Sequence, residues 1–189
     1  MLCSVDVAAV RAEPREDAER VTELLRGEPV CVEERRNGWA RIRTAYEYPG
    51  WVAEEELDGG APSADPVAEA RRYLGTPYLW GGMTERGIDC SGLVHMAHRR
   101  AGRLVPRDAD QQEDVGTPVA EEDLQPGDLI SYGENGESKA THIAFWVGAG
   151  RILHATQRDD VDGVVEEDEP PHLRAIRRRT FRLVNNEPN

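Results

Sequence analysis

The sequence predicts an α+β chain in two parts, a small all-β barrel followed by a larger domain in which helices precede an antiparallel sheet. Three observations carry this. The chain has 189 residues, room for one large domain or two small ones at roughly 100–200 residues each. The stretch Asp58-Gly59-Gly60-Ala61-Pro62-Ser63-Ala64-Asp65 gathers turn formers without an apolar period, and reads as a linker over 58–65 between parts at 1–57 and 66–189. The hydrophobic period also changes there, from short alternating runs before it to helical spacing and then strands after it.

The elements follow in order. Val5, Val7 and Ala9 alternate within Ser4–Val10, and Val21–Leu25 and Val30–Val32 flank a Gly27-Glu28-Pro29 turn. Asn37-Gly38 is a hairpin signal, since both residues accept a positive φ, and Trp39–Thr44 and Gly50–Val52 complete five short strands. In the second part Asp65 is placed to cap a helix that begins at Pro66. Val67, Ala70 and Leu74 share one face and Gly75 stops it. A glycine-bearing loop leads to Asp89-Cys90-Ser91-Gly92, and a second helix runs to about Arg100 with Leu93, Val94 and Ala97 inward. Strands are predicted at Asp128–Tyr132, His142–Val147, Arg151–Thr156 and Arg178–Val184. The acidic stretch from Asp159 to Glu169 reads as a solvated loop, balanced by Arg174 and Arg177–Arg179.

Composition excludes several functions. Lys and Arg number 23 against 36 Asp and Glu, a net charge of −13 at pH 7. Nucleic-acid readers and polybasic lipid anchors need the opposite sign, so neither nucleic acid nor membrane is an expected partner. No apolar run approaches the roughly 18 residues that span a bilayer. Met1–Asp6 lacks the basic and apolar stretches of a signal peptide, which makes the cytoplasm the expected location. Cys3, Cys31 and Cys90 are odd in number and have no C-x-x-C spacing, which fits neither a disulfide framework nor a zinc ribbon. His95 and His98 stand at i, i+3 without a third ligand at useful spacing and read as a solvated helix face. No metal or organic cofactor is signalled.

Chemistry concentrates around Cys90. It sits where a loop meets a helix N-terminus, where backbone amides and the helix dipole are expected to lower a thiol pKa and favour the nucleophilic thiolate. A buried inert thiol fits the same position. If the turn after Val147 centres on residue 149, His142 falls opposite residue 156. His154 then lies diagonally on the same face, about 7–8 Å away, within reach of two imidazoles. His142 is then a candidate base and His154 the group that fixes its tautomer. Two surface histidines fit the same spacing, and spacing alone does not bring Cys90 to them.

Six motifs taken together are specific. Gly75-Thr76-Pro77-Tyr78-Leu79-Trp80-Gly81-Gly82, Asp89-Cys90-Ser91-Gly92-Leu93-Val94 and Pro106-Arg107-Asp108-Ala109-Asp110-Gln111-Gln112 come first. Pro126-Gly127-Asp128-Leu129-Ile130, Thr141-His142-Ile143-Ala144 and Arg151-Ile152-Leu153-His154-Ala155 follow. In this order they resemble the NlpC family of papain-like cysteine peptidases over nearly all of 66–157. Ala18–Glu28, Gly38-Trp39-Ala40 and Tyr48-Pro49-Gly50-Trp51-Val52 resemble the bacterial SH3-like barrel that accompanies this domain.

The resemblance implies a papain-like fold and hydrolysis of the bond between γ-D-glutamate and a diamino acid in peptidoglycan stem peptides. It implies Cys90 as nucleophile, His142 as base, His154 as orienting residue and Tyr78 as a donor to the oxyanion. Members with an attached barrel recognise a free N-terminal L-Ala, which implies recycling of released stem peptides. Asp89 and Ser91, with Tyr48 and Glu19 from the barrel, are the candidates for binding that ammonium. The Glu134–Ala140 loop departs from the family pattern. The alternatives are a secreted hydrolase of intact wall, an acyltransferase, or a non-catalytic module that binds wall fragments.

Overall fold

The computed structural model describes residues 1–59, 65–133 and 139–183. The chain divides into two compact units, Met1–Ala64 with Arg99–Leu104, and Asp65–His98 with Val105–Asn189. Residues 60–64 of the expected linker, 134–138 of the polar loop and Val184 of the last expected strand lie outside the described residues.

The first unit is built from β1 (Leu2–Cys3), β2 (Val7–Arg11), β3 (Arg20–Leu25), β4 (Val30–Arg36), β5 (Trp39–Thr44), β6 (Pro49–Ala53) and β7 (Leu57–Asp58). Five of these form an antiparallel sheet in the order β3-β2-β6-β5-β4, and β1 pairs with β7. The β4–β5 hairpin turns on Asn37 and Gly38 at φ 52° and 79°, the paired left-handed conformations of a type I′ turn. Residues two apart, Ala8 with Val10 and Ala40 with Ile42, point into one apolar core with Leu24, Val52 and Leu57.

The second unit opens with α1 (Pro66–Arg71), whose N-terminus is closed by the Asp65 carboxylate accepting from the Val67 amide at 2.9 Å. Val67 and Ala70 are buried as the spacing predicts, but Leu74 is 48% exposed. The helix ends at Arg71, and the tighter turn that follows swings Tyr73 inward instead. Then come β8 (Met83–Thr84), β9 (Gly87–Ile88), α2 (Cys90–Arg100) and α3 (Ala109–Val115). The sequence reading did not predict α3. It buries Gln112 and Glu113 rather than an apolar stripe, so it carries no helical hydrophobic period.

The remaining elements are β10 (Thr117–Pro118), β11 (Leu129–Tyr132), β12 (His142–Gly148), β13 (Arg151–Arg158), β14 (Val161–Asp168), α4 (Pro171–Arg174) and β15 (Arg177–Arg182). They form a six-stranded antiparallel sheet ordered β10-β15-β11-β12-β13-β14. One face carries Ile130, Tyr132, Ala144 and Ile152, packed with Leu173 of α4. The alternate residues Leu129, Ile143, Phe145 and Leu153 are also buried, so the sheet is covered on both sides. His98 of α2 stacks on Phe145, with ring centroids 5.7 Å apart.

The structure departs from three expectations. The acidic stretch is not a solvated loop: β14 pairs with β13 along its whole length, from Arg158↔Val161 to Arg151↔Asp168. Val161, Val164 and Val165 suit a strand, and Glu166 and Glu167 find arginine partners on β13 and α1. His98 is not on a solvated face; it is 1% exposed and bonds the Val94 carbonyl, while half-buried His95 bonds the Val105 carbonyl. Of the basic cluster, Arg174 and Arg177 pair with Glu169 as expected, but Arg178 and Arg179 pair with Glu113 of α3.

Candidate active site

Cys90 is the first residue of α2 and is buried. Asp89 caps the helix in front of it. Its Oδ1 accepts from the Gly92 amide at 2.7 Å and from Ser91 Oγ at 3.4 Å. Its Oδ2 accepts from the Gly81 amide at 2.7 Å and from Arg107 Nη2 at 2.7 Å. Arg107 Nη1 donates to Ser91 Oγ at 2.8 Å, and Nη2 also reaches the Gly82 carbonyl at 3.2 Å. One guanidinium therefore ties the glycine loop to the residues on either side of the thiol. Arg107 lies inside the Pro106–Gln112 motif, yet its neighbours in sequence point to no part for it.

The thiol faces the start of β12. The backbone amides of Ile143, next to His142, of Ser91 and of Cys90 itself favour its thiolate. These donors pull its pKa down, as expected at a helix N-terminus. Burial and the adjacent Asp89 charge outweigh them, however, and the thiol is pushed up to about 11. The expected depression of the pKa is therefore reversed: at neutral pH the resting group is the thiol, and a base must take its proton.

His142, next to Ile143 in the chain, is the candidate for that base. Phe145↔Leu153 pairing in the β12–β13 hairpin gives the register expected from a turn at residue 149. It places His142 Nε2 2.8 Å from His154 Nδ1. His154 is fully buried, and its Nε2 lies 2.9 Å from Glu167 Oε1 on β14. Glu167 is in turn held by both arms of Arg158, at 2.7 Å each. Burial, with the nearby His154 and His172 rings, pushes His142 down to about 3, and burial also lowers His154 despite Glu167. Both imidazoles are neutral at physiological pH.

Beneath His142 lies Tyr132, with ring centroids 5.6 Å apart. Its hydroxyl donates to buried Glu169 at 3.1 Å, which also pairs with Arg174 and Arg177. Tyr78, half-buried, senses the charges of both Cys90 and Asp89; burial chiefly, then those charges, push its phenol up to about 12. It is a hydrogen-bond donor across the neutral range.

The second unit thus gathers Tyr78, Asp89, Cys90, Ser91, His142 and His154. Tyr48 and Glu19 belong to the first unit, where both are exposed. Tyr48 stands 6.3 Å from the Tyr46 ring. The sequence reading misses Glu167 and Arg158, although a signal for them is present: Asp159-Asp160 is a two-residue turn between a run carrying Ile152 and Leu153 and one carrying Val161, Val164 and Val165. Among the described residues, no group of three His, Cys, Asp or Glu side chains is placed to hold a metal.

Known proteins bear on this geometry. Residues 75–178 match the NlpC/P60 family, and residues 10–57 match the bacterial dipeptidyl-peptidase Sh3 domain. The chain is 39% identical over 129 residues to the gamma-DL-glutamyl hydrolase of Bacillus subtilis, covering 64% of this chain and 31% of that protein. It is 32% identical over 126 residues to the gamma-D-glutamyl-L-lysine dipeptidyl-peptidase of Bacillus cereus, covering 66% of this chain and 38% of that one. It therefore spans well under half the length of both relatives. The crystal structure of an NlpC/P60 family protein from Bacillus cereus superposes with a TM-score of 0.65 at 24% identity, over 96% of this chain and 62% of the other. With more than half of its residues matched by the family's own model and its fold shared with a family member, this chain belongs to the NlpC/P60 family.

Proposed function

We propose that the chain is a cysteine peptidase that hydrolyses the γ-D-glutamyl–diamino acid bond of peptidoglycan stem peptides. Its preferred substrate in this proposal is a released stem peptide with a free N-terminal L-Ala, as in cell-wall recycling. The observation that carries the reading is the buried Cys90 thiol at the start of α2, favoured as thiolate by the Ile143 amide, with His142 next to Ile143 in the chain and bonded to His154. The names of the two Bacillus relatives and the match to a dipeptidyl-peptidase Sh3 domain support the substrate class.

In the proposed reaction Cys90 Sγ bonds the glutamyl γ-carbonyl carbon while His142 takes the thiol proton on Nδ1, since its Nε2 is committed to His154. The carbonyl oxygen becomes an oxyanion, and Tyr78 donates to it. Collapse breaks the C–N bond as His142 returns the proton to the leaving amine. Water then gives His142 a proton and the acyl carbon a hydroxyl, and this releases the L-Ala-γ-D-Glu acid and the thiol.

Asp89 and Ser91 are the proposed amine-side contacts. Arg107 already pairs with Asp89, so the ammonium competes with an internal cation there. Tyr48 and Glu19 keep their proposed part in recognising that amine on the resemblance alone. A cytoplasmic setting belongs to the same proposal, and cell fractionation tests it.

The deciding experiment incubates the protein with L-Ala-γ-D-Glu-meso-diaminopimelate and its N-acetylated twin and reads the products by mass. Cleavage of the free peptide alone is expected, with Cys90→Ala folded and inactive. Cleavage of both would leave the peptidase and remove the amine pocket. Cleavage of neither, or an active Cys90→Ala, would overturn the assignment.

A further inference from the structure

We propose that Glu167, gripped by Arg158, is a positioning residue that fixes the proton on Nε2 of His154 and thereby leaves Nδ1 of His142 bare to act as base. The inference rests on the reading of Cys90 and His142 as nucleophile and base.

An ionised carboxylate only accepts, so the His154 Nε2 at 2.9 Å from Glu167 must carry a hydrogen. A neutral imidazole has one N–H, so Nδ1 of His154 is an acceptor. The His142 Nε2 2.8 Å away then has to donate, and the His142 lone pair is on Nδ1. The two rings alone do not make this choice. Reversing both tautomers preserves their shared hydrogen bond but puts a proton on His142 Nδ1, which can then no longer accept one from Cys90. Glu167 breaks that symmetry.

Arg158 makes the choice durable. Its two arms meet both carboxylate oxygens, which stops the group from turning and holds it ionised. Burial pushes Glu167 up, but the hydrogen bonds from Arg158 and His154 overturn this and leave it below the usual carboxylate range. The titratable and charged groups that face the imidazole pair are Glu167 from β14, Arg158 from β13, His172 from α4 and the Tyr132 ring from β11.

Glu167→Gln is the informative substitution. The amide offers one acceptor and one donor where Arg158 and His154 together require acceptors. With its oxygen toward His154, its NH₂ meets the Arg158 donors. In the flipped orientation, the NH₂ forces His154 onto the wrong tautomer.

The experiment has two readouts that need no peptide. Nitrogen-15 NMR of the histidines reports the tautomers, and iodoacetamide alkylation reports Cys90 in a Cys31→Ser background, which removes the exposed thiol. In the unsubstituted protein both His142 and His154 are expected to carry the proton on Nε2. In Glu167→Gln the tautomers mix and alkylation at pH 7 slows by about tenfold or more. On the peptide, kcat falls while KM holds, and Glu167→Asp recovers part of the loss. A proton on His154 Nδ1 in the unsubstituted protein would overturn the proposal, and that measurement needs no variant to fold. Unchanged tautomers and alkylation in a folded Glu167→Gln would overturn it too. A shifted tautomer with no peptide cleavage in any form would uphold the positioning and reject the substrate.

Discussion

A phenol that keeps its proton is the kind of donor a developing oxyanion needs. Tyr78 has that property because burial and the neighbouring Cys90 and Asp89 push its pKa to about 12. The expected outcome of Tyr78→Phe is a fall in kcat of roughly 10²–10³-fold, the usual effect of removing one oxyanion donor, with KM little changed. Steady-state kinetics on the free stem peptide measure this, and an unaltered kcat would remove Tyr78 from the reaction. Cys90 shows what one residue's sequence context cannot convey. The D-C-S-G step into a helix reveals the amides that favour a thiolate, but not the burial that opposes it. Only packing brings that second effect, and it is the larger.

At the scale of elements, the histidine pair was legible because strand parity needs only one well-placed turn. With residue 149 at the tip, His142 and His154 must share a face, and the observed register agrees. β14 was not legible, because its acids look solvated until their partners are known. Glu166 pairs with Arg71 and Arg151, the former 95 positions away in the chain, and Glu169 reaches Arg177 across α4. The same strand holds the Tyr78 loop: the Val164 amide donates to the Thr76 carbonyl at 2.9 Å, and the Gly75 amide donates to the Val164 carbonyl at 3.0 Å. Gly163 makes this approach possible. It sits at φ +145°, and a Cβ there would stand 2.5 Å from the Thr76 carbonyl oxygen. Gly163→Ala is therefore expected to cost about 1–3 kcal/mol in strain. Calorimetry should show a melting point lower by several degrees, with kcat reduced as Tyr78 shifts. An unchanged melting point would mean that the loop yields freely.

Across the whole molecule, the acids of the two units respond to pH with opposite sign. Glu166, Glu167 and Glu169 of the second unit have folded pKa values below the ordinary 4.5, through arginine and histidine contacts that outweigh burial where it opposes them. Their stabilisation is complete above the unfolded value and is lost as pH falls through the folded ones. Glu28 and Glu56 of the first unit are raised by burial, so their contribution is present on the acid side and lost as pH rises. Acidification below about 4.5 should therefore unfold the second unit first. Trp80 and Trp146 report on that unit, and Trp39 and Trp51 on the first. Fluorescence of variants that retain one pair should show the second unit's transition at the higher pH, and the reverse order would refute the assignment of these carboxylates.

The turn between β13 and β14 is only Asp159-Asp160, with Arg158 opposite Val161 and Ile152 opposite Glu167. Inserting one residue in that turn would bring Glu166 into the place of Glu167, and deleting one would bring Asp168. Either slip inverts the faces of Val164 and Val165, yet still presents a carboxylate toward His154. An unbroken acidic run thus makes the group behind the histidines redundant against small insertions and deletions, a form of error tolerance that no single acid among neutral neighbours would provide.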